Sequence, residues 1–180
     1  MNKLLGLLVV PLLVIVCIAA GIFEDTHSAA PPPRGAEAFR VFRSFPSHPS
    51  KETLQSIRRA LDLYEPAARV TRLHRSYTAS GYVWVVATER LMCIVHSRGS
   101  ACAPIPRAIQ GGVVLGVFDP PDGHHKEPHN FLMLGLVPDG VTTVSGLVNY
   151  HRRILLPVKG NLVSATGDEP IHVKRLVRDQ

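Results

Sequence analysis

Most local signatures of chemistry are missing from this chain. It has no G-x-S-x-G elbow, no P-loop, no G-x-G-x-x-G and no C-x-x-C. These absences remove the motif-borne routes to a serine hydrolase, a phosphate cradle, a dinucleotide site and a dithiol redox pair. The 14 acidic residues show no spacing that suggests a general acid/base pair, and no internal repeat occurs. Catalytic groups can meet in space without leaving a local trace, so an enzyme is left unsupported rather than forbidden. Aromatic residues make up only 6% of the sequence. Basic residues are scattered singly or in pairs such as Arg58-Arg59 and Arg152-Arg153, whereas a nucleic-acid reader usually carries a dense basic patch with aromatics interleaved. No nucleic-acid partner is expected. The net charge of +6 reads as a solvated surface with weak attraction to anionic cell-surface polymers.

One long apolar run is present. Residues 4–23 contain no charge, and about 20 residues in a helix span the ~30 Å hydrocarbon core of a membrane. Lys3 and the α-amino group lie on one side, Glu24 and Asp25 on the other. The positive-inside rule then puts the N-terminus in the cytoplasm and residues 24–180 outside, as a single-pass protein of the cell membrane. The alternative is a cleaved signal peptide and a secreted product, for which Ala19-Ala20-Gly21 offers small residues. Cys17 follows Val16 inside the apolar run, which does not suit lipoprotein processing. Either way, residues 1–23 are an anchor or signal and the rest is exported.

Residues 24–49 include AAPPPRG and FPSHPS, a proline density that favours extended chain and reads as a linker. Phe39, Val41, Phe42 and Phe45 are ill suited to a solvated linker, which points to packing of part of 38–46 on the domain or the membrane surface. Ser50 is placed to cap a helix whose Leu54, Ile57, Leu61 and Tyr64 share one face, and Pro66 sets its limit.

The remainder reads as strands. Gly81–Thr88 and Leu91–His96 flank a tight turn at Glu89-Arg90. Gly111–Phe118 follows. Phe131–Val137, Val141–Val148 and Ile154–Val158 are separated by Pro138-Asp139-Gly140 and by Asn149–Arg152, which together predict a three-stranded meander. Pro157 cannot donate to a ladder, so its strand belongs at an edge. Leu162–Ala165 and an edge strand over Ile171–Val177 complete the pattern. The expected fold is α+β and mainly β: an antiparallel meander sheet with one packed N-terminal helix, occupying residues 50–180 and preceded by a transmembrane or signal helix.

Cys93 lies in a strand and Cys102 follows the next turn, so in an oxidising compartment the two should pair. A loop of that size is worth roughly 2.5–3 kcal/mol in the chain-entropy picture. The rival assignment, a Cys93 nucleophile with His96 as base, puts the two on opposite faces of a strand. His124, His125 and His129, with Asp119, Asp122 and Glu127, form the densest set of metal-ligand types and suit zinc or copper. An H-E-x-x-H helix is not present, and a closed site needs a ligand from elsewhere, for which His96, His151 and His172 are candidates. The alternative is a polar loop between strands.

Trp84-Val85-Val86, Cys93, Cys102, the run Gly135-Leu136-Val137-Pro138-Asp139-Gly140-Val141-Thr142-Thr143-Val144, Pro157-Val158 and Asn161 together resemble a loosely defined group of small exported or membrane-anchored actinobacterial proteins of unknown function. The resemblance covers about residues 82–165, with Leu156 and Leu162 standing where valines are expected. It implies an exported β-rich domain with a disulfide and carries over no activity. The expected role is non-enzymatic, an interaction or structural function towards an envelope protein or polymer. The alternatives are a metal-binding envelope protein through His124, His125 and His129, and a hydrolase whose site is not legible in sequence.

Overall fold

Residues 35–43, 47–120 and 129–178 are described by a computed structural model of the chain. The apolar run 4–23 and both His124 and His125 lie outside them. Among the described residues no helix is long and apolar enough to cross a membrane. Two 3-10 turns, Gly35–Ala38 and Arg40–Arg43, precede α1 (Lys51–Asp62). Four strands follow: β1 (Arg72–Thr78), β2 (Gly81–Ala87), β3 (Leu91–His96) and β4 (Gly99–Pro104). After α2 (Ile105–Gly111) come β5 (Val113–Asp119), β6 (His129–Leu136), β7 (Val141–Val148), β8 (Arg152–Pro157), β9 (Leu162–Gly167) and β10 (Ile171–Arg178). They form three antiparallel sheets in the orders β1-β2-β3-β4, β5-β6-β9 and β10-β7-β8. The fold is α+β and mainly β, as expected, with two helices instead of one.

The expected meander over 131–158 does not form as such. β6 pairs with β5 on one side and with β9 on the other, so neither edge is left for β7. β7 takes β8 and β10 in the third sheet. Pro138-Asp139-Gly140 is therefore a corner between sheets, with Gly140 at φ 81°, where a side chain would be strained. The β7–β8 hairpin is formed, through Asn149 and Tyr150 in left-handed conformation, and Pro157 lies on the edge strand β8. The true sequential meander is β1 to β4, whose first strand the sequence reading left unassigned.

β6 explains the most apolar run of the domain. Leu132, Leu134 and Leu136 point into one core with Val83, Val85, Met92 and Ile94 of the first sheet. Phe131 and Met133 point the other way, against Val144, Val148 and Ile171 of the third sheet. A strand covered on both faces reads as a continuous apolar run, not as an alternation. Gly135 allows the close pairing with β9, because a Cβ there would meet Val163 Cγ1 at 2.5 Å.

α1 begins as expected. Ser50 Oγ accepts from the Thr53 N–H at 3.2 Å. Hydrogen bonds from its own N–H and from Ser50 hold the Glu52 carboxyl below its ordinary value. Ile57 and Leu61 are buried against Val86, Cys93 and Val95 on the outer face of the first sheet. α2 escapes sequence reading because Pro106 looks like a breaker, yet it sits in the first turn, where its missing N–H has no intrahelical partner to lose.

Part of the stretch 38–46 packs on the domain, one of the two expected placements, and the packed strap extends back to Gly35. Ala38, Phe39, Val41 and Phe42 join the core between the first and second sheets, and Phe39 is fully buried. Burying four apolar side chains offsets the cost of ordering this short stretch.

Candidate functional site

Three sets of residues carry the chemistry that the described structure offers. The first is a clasp at the corner after β6. Asn161 accepts from the Val41 N–H at 2.8 Å and donates to the Val137 carbonyl at 3.0 Å and to Asp139 Oδ1 at 2.8 Å. Asp139 Oδ1 also accepts from the Arg40 N–H at 2.6 Å, and its Oδ2 pairs with Arg43 at 2.7 Å. The backbone closes the clasp: the Asp139 N–H donates to the Ala38 carbonyl and the Val137 N–H to the Asn161 carbonyl. Asn161 is buried with φ at 68°, a conformation that Asn tolerates better than most residues. Every polar side-chain atom of Asn161 and both carboxylate oxygens of Asp139 are committed to the strap 38–43 or to each other. The P-D-G segment and Asn161, the most motif-like residues of the chain, thus hold the N-terminal strap to the sheets.

The second set lies around the expected metal loop. His129 opens β6 and is the register partner of Asp119 on β5. Asp119 is already paired with Arg98 at 2.8 Å, and Arg98 also donates to the Asn130 carbonyl. Among the described residues no group of three or more His, Cys, Asp or Glu side chains could hold a metal ion. A zinc or copper site rests on His124 and His125, outside those residues. Of the three proposed completing ligands, His96 is on the first sheet, whereas His151 and His172 belong to the third. His96 is buried, with Nδ1 accepting from the Arg98 N–H and Nε2 within 3.1 Å of the Ser80 carbonyl. His172 stacks on Tyr150 at 3.7 Å between ring centroids, and His151 is exposed in the β7–β8 turn. Cys93 is bonded to Cys102 at directly opposed positions of β3 and β4, buried under α1. It cannot act as a free nucleophile in this oxidised form.

The third set was not anticipated from sequence. Successive rungs across the outer face of the first sheet are Leu73–Val86–Cys93–Cys102 and Arg75–Trp84–Val95–Ser100, followed by Tyr77–Tyr82. α1 covers the first of these, and its packing reaches Trp84 and Val95 on the second. Tyr64, just past α1, donates its hydroxyl to the Ser100 carbonyl at 2.6 Å and so marks the end of the covered part. Beyond it the face is open. Tyr77 is 73% exposed and Tyr82 57% exposed. Their rings meet edge to face at 5.2 Å. The Arg75 guanidinium lies over Tyr82 at 4.8 Å and near Trp84 at 5.9 Å. Each such cation–π contact is worth roughly 0.5–1 kcal/mol at an exposed site. Arg75 makes no ion pair among the described residues, unlike Arg43, Arg72, Arg90 and Arg98.

The aromatic residues are thus sorted by chemistry. Phe39, Phe42 and Phe131 are buried, whereas three of the four tyrosines and the single tryptophan are on or beside this face. The missed signal was the alternation Leu73, Arg75, Tyr77 across a tight turn from Tyr82 and Trp84. A separate shallow depression beside the end of α1 is lined by Arg58, Asp62, Ala67, Ala68, Arg69 and Val70, with no nucleophile next to a base. Comparison of the chain with family models, curated proteins and solved structures gives no match.

Proposed function

We propose that the protein is a non-enzymatic interaction module of the cell envelope. The apolar run 4–23 brings it to the membrane, as anchor or signal, and the domain outside binds an envelope partner or polymer through the open face of the first sheet. The observation that carries this is the strip Arg75, Tyr77, Tyr82 and Trp84: rigid rings, a guanidinium with no ion pair among the described residues, and a stiff support. The rings order few side-chain torsions on binding, and the fixed Arg keeps its donors free for a partner. The Cys93–Cys102 disulfide and α1 lie on the adjoining rung of the same sheet and stabilise it. The resemblance to exported actinobacterial proteins agrees with this setting.

Co-sedimentation of the full-length chain in mild detergent with isolated bacterial cell-wall material tests the reading. Retention that falls at least about tenfold in Tyr77→Ala/Tyr82→Ala, at a salt concentration that screens weak surface attraction, is the expected result. Retention equal to wild type in that variant would remove the face from the account.

A further inference from the structure

We infer that the ligand of this face is a carboxylate-bearing pyranose unit of an acidic polysaccharide. This rests on the reading of the strip as the binding surface. Sugar rings carry apolar C–H faces that lie flat on an aromatic ring; Tyr77 and Tyr82 stand at 73° to each other with Arg75 over the Tyr82 ring, so the exposed Tyr77 offers the open ring face. Arg75 and Tyr77 are two residues apart on β1, about 7 Å along the strand, as are Tyr82 and Trp84 on β2. Because Arg75 faces Trp84 and Tyr77 faces Tyr82 across the ladder, the four side chains make a compact patch of about 7 Å by about 5 Å, the size of one sugar ring. The anionic requirement comes from Arg75. Its guanidinium is held over Tyr82 without a counter-ion among the described residues, and a planar fork so positioned matches a carboxylate in two parallel hydrogen bonds.

Other ligand classes fit less well. An extended peptide adding to β1 would need its free edge, but Ser47 already covers it: the Ser47 N–H donates to the Leu73 carbonyl and Ser47 Oγ accepts from the Arg75 N–H. A nucleic acid needs a row of cations, and the strip holds one.

Trp84 is the only tryptophan of the chain, so its fluorescence reports on this strip alone. The full-length chain in phosphatidylcholine nanodiscs is titrated with oligogalacturonate and, separately, with its neutral methyl ester. The expected result is a saturable change with the acid, with the ester at least about tenfold weaker, the scale of one charge-assisted hydrogen-bonded pair. Arg75→Gln abolishes the difference between acid and ester. Tyr82→Ala weakens both by up to about tenfold. No saturable change, or equal response to acid and ester, overturns the inference. So does a Trp84 response to phosphatidylglycerol in the nanodisc without a response to the sugar, which would assign the strip to lipid. Cell-wall retention that depends on Tyr77 and Tyr82 while oligogalacturonate fails would sink the ligand class and leave the surface standing. Loss of both would sink the two together.

Discussion

The clasp around Asn161 and the strip around Arg75 use their polar atoms in opposite ways. In the clasp, donors and acceptors are spent inside the molecule: Asn161 and Asp139 hold Val41, Arg40 and Arg43, and the result is the burial of Phe39. In the strip, the Arg75 charge and the faces of Tyr77 and Tyr82 remain available to solvent. Saturated hydrogen bonding marks a structural device, whereas unsatisfied charge on a rigid support marks a surface kept for something else. The difference also separates legibility from function, because the clasp is spelled by a compact segment and the strip is not.

The comparison can be broken at its strongest point first. Phe39→Ala should lower unfolding free energy by about 3–5 kcal/mol in urea titration, since it empties a filled core position at the strap. A loss below about 1 kcal/mol would mean that the strap is not part of the folded unit. Opening the Cys93–Cys102 bond by Cys93→Ala/Cys102→Ala should cost roughly 2.5–3 kcal/mol and leave cell-wall retention unchanged while the protein is folded. Asn161→Ala should cost about 2 kcal/mol, because the buried Val41 N–H loses its side-chain acceptor and Ala is placed at positive φ. Ser50→Ala should cost about 1 kcal/mol through the lost cap of α1. At the small end, Tyr77→Ala should change stability by less than about 0.5 kcal/mol, as an exposed side chain away from any core. Thermal or urea midpoints rank the series, and an inverted order would erase the distinction between the two regions.

Much of the fold was legible where local chemistry decides it. Ser50 caps α1, Glu89-Arg90 turns β2 into β3, Asn149 and Tyr150 turn β7 into β8, and Pro157 sits at an edge. Cys93 and Cys102 pair as expected. What failed was non-local. Nothing near β6 announces that β9, some thirty residues later, takes the place beside it, so Pro138-Asp139-Gly140 looked like a hairpin turn and is a corner. Phe39, Val41 and Phe42 were legible as residues unsuited to a solvated linker, and the structure packs them on the domain. The strip was missed because its four residues become neighbours only once β1 is paired to β2 in register. His124 and His125 remain a sequence expectation outside the described residues, and His129 alone is placed, beside an Asp119 that Arg98 already engages.

The most direct test puts both regions on one preparation. The full-length wild type, Tyr77→Ala/Tyr82→Ala and Asn161→Ala are compared for urea midpoint and for cell-wall retention under conditions where each is folded. The account predicts that the tyrosine variant loses no more than about 1 kcal/mol of stability and loses retention, while Asn161→Ala loses about 2 kcal/mol and keeps retention. A tyrosine variant that binds like wild type, or an Asn161→Ala variant that stays folded but no longer binds, would contradict it.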